Sequence, residues 1–64
     1  MNLQQIKTAI AQGKIVHWSN DNYKVILDNK GQYLIDCILN GYCIGLTWLD
    51  GITLNGKESE FYIK

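Results

Sequence analysis

The stretch YKVILDNKGQYLIDCILNGYCIGLTW, residues 23–48, decides the fold. Two turn signals cut it into three segments whose side chains alternate. Asp28-Asn29-Lys30-Gly31 has the chemistry of a type I turn closed by a glycine bulge, and Asn40-Gly41 is the strongest short hairpin signal a sequence offers. The bulged turn pairs Leu27 with Tyr33, Val25 with Ile35 and Tyr23 with Cys37. A two-residue turn at Asn40-Gly41 pairs Leu39 with Tyr42, Cys37 with Ile44 and Ile35 with Leu46. The two registers together place Tyr23, Val25, Leu27, Tyr33, Ile35, Cys37, Leu39, Tyr42, Ile44 and Leu46 on one face. A slip of one residue would turn every one of them to the other side.

Working outward, Leu3, Ile6 and Ile10 lie on one helical stripe beside Ala9. Asn2 is placed to accept an orphan amide, Gln5 completes a capping box, and Gly13 stands where a left-handed C-terminal cap belongs. The spacing predicts a helix over residues 3–12. Alternation predicts strands over 14–18, 23–28, 32–39, 42–48 and 60–63, with a polar turn at 19–22. Leu-Asn-Gly or Leu-Asp-Gly recurs at 39–41, 49–51 and 54–56. The unequal spacings mark repeated turn chemistry, with at most a strand stub at 52–54. The fold class expected is α+β: one N-terminal helix packed on an antiparallel meander of four or five strands, in a single domain.

The opposite face of that sheet is mixed. It carries Ile15, His17, Lys24, Ile26, Leu34, Asp36, Ile38 and Cys43, and one short helix cannot cover both faces. Either the sheet curls, or residues 49–57 lie across this face, or a partly exposed apolar patch remains. Ile15, His17, Ile26, Leu34 and Ile38 are therefore the candidate interaction surface.

The bulk numbers narrow the function. For 64 residues the gain from burial and the cost of ordering nearly cancel, so strong local signals or a partner must tip the balance. A hydrophobic fraction of 47% and zero net charge argue against disorder. No run approaches a membrane span. Met1-Asn2-Leu3-Gln4-Gln5 has no signal-peptide character, which makes the cytoplasm the expected compartment. The six Lys are scattered, Arg is absent, and phosphate binding is thereby disfavoured. The aromatic residues Trp18, Tyr23, Tyr33, Tyr42 and Trp48 are read as core more readily than as a base-stacking platform.

No cofactor motif is present. His17, Cys37 and Cys43 are too few for a structural metal site. Catalysis would require Cys43 and His17 to meet on the second face with Asp36 orienting the ring. An interfacial His17 and a Lys24–Asp36 cross-strand ion pair are the simpler expectation. In size and style the chain is similar to small single-domain proteins of bacteria and their mobile elements, a likeness that transfers no site.

The expected function is a small non-enzymatic module that binds protein, through the second sheet face or an edge strand. Its partner would be a second copy or a heterologous protein that it inhibits or adapts. The alternative is a small β-barrel that binds single-stranded nucleic acid. Because Cys37 and Cys43 flank a turn with their side chains on opposite faces, no bridge can join them without breaking the hairpin. A thiol titration of unreduced, denatured protein is expected to count two thiols. A count of zero, with the mass lowered by two hydrogens, would contradict the register.

Overall fold

The computed structural model describes all 64 residues. Helix α1 (Leu3–Ala11) is followed by strands β1 (Val16–Trp18), β2 (Asn20–Leu27), β3 (Tyr33–Cys37) and β4 (Tyr42–Gly45). A 3-10 turn (Glu58–Glu60) leads into β5 (Phe61–Ile63). All pairings are antiparallel. The order across the sheet is β4-β3-β2-β1-β5. Four strands thus form a meander, and the fifth returns to the outer side of β1.

Helix α1 is stopped at both ends by its own sequence. Asn2 Oδ1 accepts the Gln5 amide at 2.8 Å, and Gln5 Oε1 accepts the Asn2 amide at 2.9 Å. At the other end Gly13 adopts φ +80°. Its amide donates to Ile10 O, and that of Lys14 to Ala9 O, each at 3.0 Å. These are the two bonds of a Schellman motif. Ile6 and Ala9, buried on one stripe, dock the helix on the sheet.

The β2–β3 hairpin forms in the expected register, with Leu27 opposite Tyr33, Val25 opposite Ile35 and Tyr23 opposite Cys37. Its turn is held by Asp28, whose Oδ1 accepts the amides of Lys30 at 2.9 Å and Gln32 at 2.8 Å. Gly31 takes φ +83° there, as a glycine bulge requires.

The β3–β4 hairpin differs from the expectation. The last pair is Cys37–Tyr42, and Ile35 faces Ile44. The connection is therefore four residues, Ile38 to Gly41, and β4 is displaced by two positions. Asn40 explains the difference, because its Oδ1 accepts the Tyr42 amide at 2.9 Å and draws the turn into a wider loop. A shift of two preserves which face each residue occupies. Both hairpin strands end early as a result: β3 stops at Cys37 rather than 39, and β4 at Gly45 rather than 48.

The polar segment 19–22 is not an open turn. Ser19 alone makes the reversal, at φ +67°, and β2 already begins at Asn20. The register jumps from His17–Lys24 to Trp18–Asn20, leaving a bulge at Asp21, Asn22 and Tyr23.

The core comprises Ile6, Ala9, Val16, Val25, Ile35, Leu46 and Phe61. Leu46 is wholly buried although β4 has ended. Past it the chain leaves the sheet, and Thr47 pairs with Leu54 as an isolated bridge. Leu54 packs against the core, and Gly56 lies against the Trp18 indole. The segment after Trp48 therefore helps α1 cover the first face. On the second face Ile26 and Leu34 are half-buried, while Ile15 and Ile38 stay exposed.

Leu46→Ala is expected to cost about 2–5 kcal/mol, the usual range for emptying a filled core site. A Cβ on Gly56 would stand 2.6 Å from Trp18 Nε1, so Gly56→Ala must displace the ring, at roughly 1–3 kcal/mol. Denaturant midpoints of both variants test this. If Gly56→Ala matched the unsubstituted protein, the packing described around Trp18 would be incorrect.

Candidate interaction surface

The second face is built in rows that cross the strands. The register sets His17 beside Tyr62 and Lys24, Lys24 beside Asp36, and Asp36 beside Cys43. The next row pairs Ile26 with Leu34, and Leu34 with Gly45. Ile15 lies just before β1, two residues from His17, and continues its alternation toward the Ile26–Leu34 row. Ile38 lies beyond the polar row, in the loop after β3, and is not continuous with them. Ile26 and Leu34 are half-buried, whereas Ile15 and Ile38 are exposed.

His17 is held in place by the fold. Its Nδ1 lies 2.9 Å from Tyr23 O. A carbonyl only accepts, so Nδ1 carries the proton. The ring stacks on Tyr62 with centroids 5.4 Å apart. The Tyr62 hydroxyl donates to Asp21 Oδ1 at 2.6 Å, and Lys64 pairs with the other oxygen. The Lys64 ammonium, and after it the Tyr62 hydroxyl, hold the Asp21 carboxyl below its ordinary value. The same bond to Asp21 raises the Tyr62 phenol. This cluster ties β5 to the bulge in β2.

The expected Lys24–Asp36 ion pair does not form, and the Cys43–His17 meeting that catalysis would require does not occur either. Lys24 and Asp36 are cross-strand neighbours, yet the ion pair of this protein is Lys64–Asp21. Asp36 instead accepts a hydrogen bond from Cys43 Sγ at 3.2 Å. Cys43 and His17 share a face but stand on β4 and β1 with two strands between them, roughly 14 Å at ordinary strand spacing. They cannot act together as nucleophile and base. Both cysteines are free thiols, Cys37 buried and Cys43 exposed.

The exposed apolar surface lies mainly elsewhere. Of ten large hydrophobic residues that stand exposed, seven fall between residues 38 and 52: Ile38, Leu39, Tyr42, Ile44, Trp48, Leu49 and Ile52. Tyr42 is 73% exposed and stands outside the core in which the sequence reading places it, whereas Trp48, at 63%, is exposed as its place near a strand end allows. The sequence signal for this surface is the run 37–49, which holds no charged residue and is flanked by Asp36 and Asp50.

Strand β4 runs through the middle of this surface and is exposed along its whole length. It is an edge strand, paired only with β3. Natural edges are usually blunted by charge, proline or cover; β4 has neither charge nor proline, and its one such contact is the Asn55 side-chain amide on Gly45 O at 3.4 Å. On the first face it borders a cleft of about 310 Å³ lined by Trp18, Tyr23, Ile35, Cys37, Asn40, Tyr42 and Ile44. At its far end Trp48 and Leu49 line a second hollow with Gly45 and Thr47. The opposite edge, β5, is framed by Glu58, Glu60 and Lys64. The sheet is open between these two edges, so the closed barrel of the nucleic-acid alternative is not formed.

No family model matches the chain, and no curated protein or solved structure is similar to it. No group of His, Cys, Asp and Glu side chains is arranged to hold a metal ion. No helix is long and apolar enough to cross a membrane.

The bond to Asp36 raises the Cys43 thiol above its ordinary value, because it holds the protonated form beside a carboxylate. The alkylation rate of Cys43 is expected to reach its plateau at a higher pH than that of an unperturbed thiol. Asp36→Asn is expected to move the profile back down. Coincident profiles for the two proteins would refute the contact.

Proposed function

We propose that this protein is a small non-enzymatic module that binds another protein chain along the β4 edge of its sheet. One observation carries the proposal: an uncharged and fully exposed edge strand lies within the stretch 38–52, which holds seven of the ten exposed large apolar side chains. Main-chain groups along a bare edge provide affinity by adding a strand, and pockets for alternate side chains provide selectivity. The cleft bordered by Tyr42 and Ile44 is such a pocket.

The second face supports the proposal less well. Ile26 and Leu34 are half-buried, His17, Tyr62, Asp36 and Cys43 are engaged in internal contacts, and Ile38 is cut off from Ile26 and Leu34. Of the two surfaces expected from sequence, the edge strand is the better candidate.

A photoreactive phenylalanine analogue in place of Tyr42, and separately in place of Ile26, tests the assignment in cells that produce the protein. Irradiation is expected to give a protein adduct from position 42 and none from position 26. No adduct from 42, or adducts from 26 alone, would reverse the assignment.

A further inference from the structure

Resting on that assignment, we propose that the strand added to β4 is β4 of a second copy, antiparallel, with a two-fold axis passing at Ile44. The two sheets then join into one of ten strands.

The argument begins with the direction of the main-chain groups. The Leu46 amide donates inward to Tyr33 O at 3.0 Å. Antiparallel pairs alternate between bonded and non-bonded positions. Ile44 and Tyr42 therefore also turn their amides toward β3, and Cys43 and Gly45 turn theirs outward. The free edge thus offers the N–H and C=O groups of these two residues. Only Gly45 O has a contact, the Asn55 side-chain amide at 3.4 Å. A carbonyl oxygen has a second lone pair available for another donor.

A two-fold axis at Ile44 sets Cys43 against Gly45 of the second copy, and Gly45 against Cys43. Every outward group then finds a partner, giving four main-chain bonds. An axis at Cys43 would instead set Gly45 against Gly41, which lies in the loop at φ +70°. An axis at Gly45 would set Cys43 against Thr47, which is already paired with Leu54. The axis at Ile44 is the one that uses the whole edge.

The side chains suit the same partner. Ile44 meets its own copy on the first face. On the second face Cys43 stands opposite a residue with no side chain, and Thr47 O lies 3.1 Å from where a Cβ of that glycine would be. No charge stands in residues 37–49, and the net charge of the chain is zero, so neither local nor long-range repulsion opposes self-association. An acidic or basic partner would find nothing here to complement.

Sedimentation equilibrium on the whole protein is expected to show a dimer at tens of micromolar. Ile44→Lys, which sets like charges together at the axis, is expected to weaken it at least tenfold. Should that variant not fold, chemical synthesis with an N-methylated Cys43 amide removes one outward donor and leaves the bonds to β3. The register has its own readout. Two Cys43 side chains lie diagonally across the axis, about 7–8 Å apart. A bifunctional thiol reagent of that span is expected to join two chains through Cys43, and Cys43→Ser to abolish the product.

A monomer throughout the concentration range overturns the proposal, as does a dimer whose Cys43 thiols do not link. An adduct from position 42 to a different protein, with the free protein monomeric, overturns the second copy as occupant and leaves the edge assignment in place.

Discussion

The Asp28 carboxylate is the constraint from which the rest of the sheet is laid out. By accepting two amides within its own turn, it fixes where β2 ends and β3 begins. That register puts Val25, Ile35 and Cys37 on one side, and this is the side α1 and Leu46 bury. A pairing slipped by one residue would turn one strand over, sending Leu34 to the helix and leaving Asp36 facing the core. A short chain has little apolar area to spare, so a local bond of this kind settles an arrangement that burial alone would leave open.

Coverage of the first face is divided between two elements, neither sufficient. Helix α1 has nine residues and lies over Val16, Val25 and Ile35. The segment from Leu46 to Gly56 covers the flank beside Trp18 and then delivers the chain to β5. The path of that segment accounts for the exposure of Tyr42, Ile44 and Trp48. Once Leu46 turns inward and the chain departs across the face, only Asn55 returns to β4, at its Gly45 end. The bare edge and the covered face are two results of one routing.

Much of this was legible in the residues. The capping box at Asn2 and Gln5, the glycine cap at Gly13 and the bulged turn at Asp28 are short-range devices, and each formed as its chemistry required. The β3–β4 turn was misjudged because Asn40-Gly41 suits a two-residue loop, but the Asn40 side chain has a competing use in bonding the Tyr42 amide. The polar segment 19–22 was misjudged because a residue at positive φ, Ser19, carries no sequence signature of its own. Of the three Leu-Asn-Gly or Leu-Asp-Gly stretches, Gly41 and Gly51 adopt positive φ, whereas Gly56 is required by the indole beside it. Identical tripeptides thus serve two purposes, which only tertiary contact separates. The candidate surface was half legible. Alternation set Ile26 beside Leu34, as the β2–β3 register has them, but it could not show that His17 and Asp36 would be bound internally. The stronger feature, an uncharged run of thirteen residues, lay in the sequence as an absence of charge.

The pairing of β1 with β5 governs the order in which the molecule can assemble. Trp18 faces Phe61, 43 positions later in the chain (61 − 18), whereas every other strand pair joins neighbours. The hairpins close over short loops and are favoured early. The contact between β1 and β5 must wait for a long loop to close, and such non-local contacts slow folding. Until it forms, β1 is a second bare edge and Val16 and Trp18 lack their cover. The nascent chain thus passes through a state with two unprotected sides, and its final strand removes one of them.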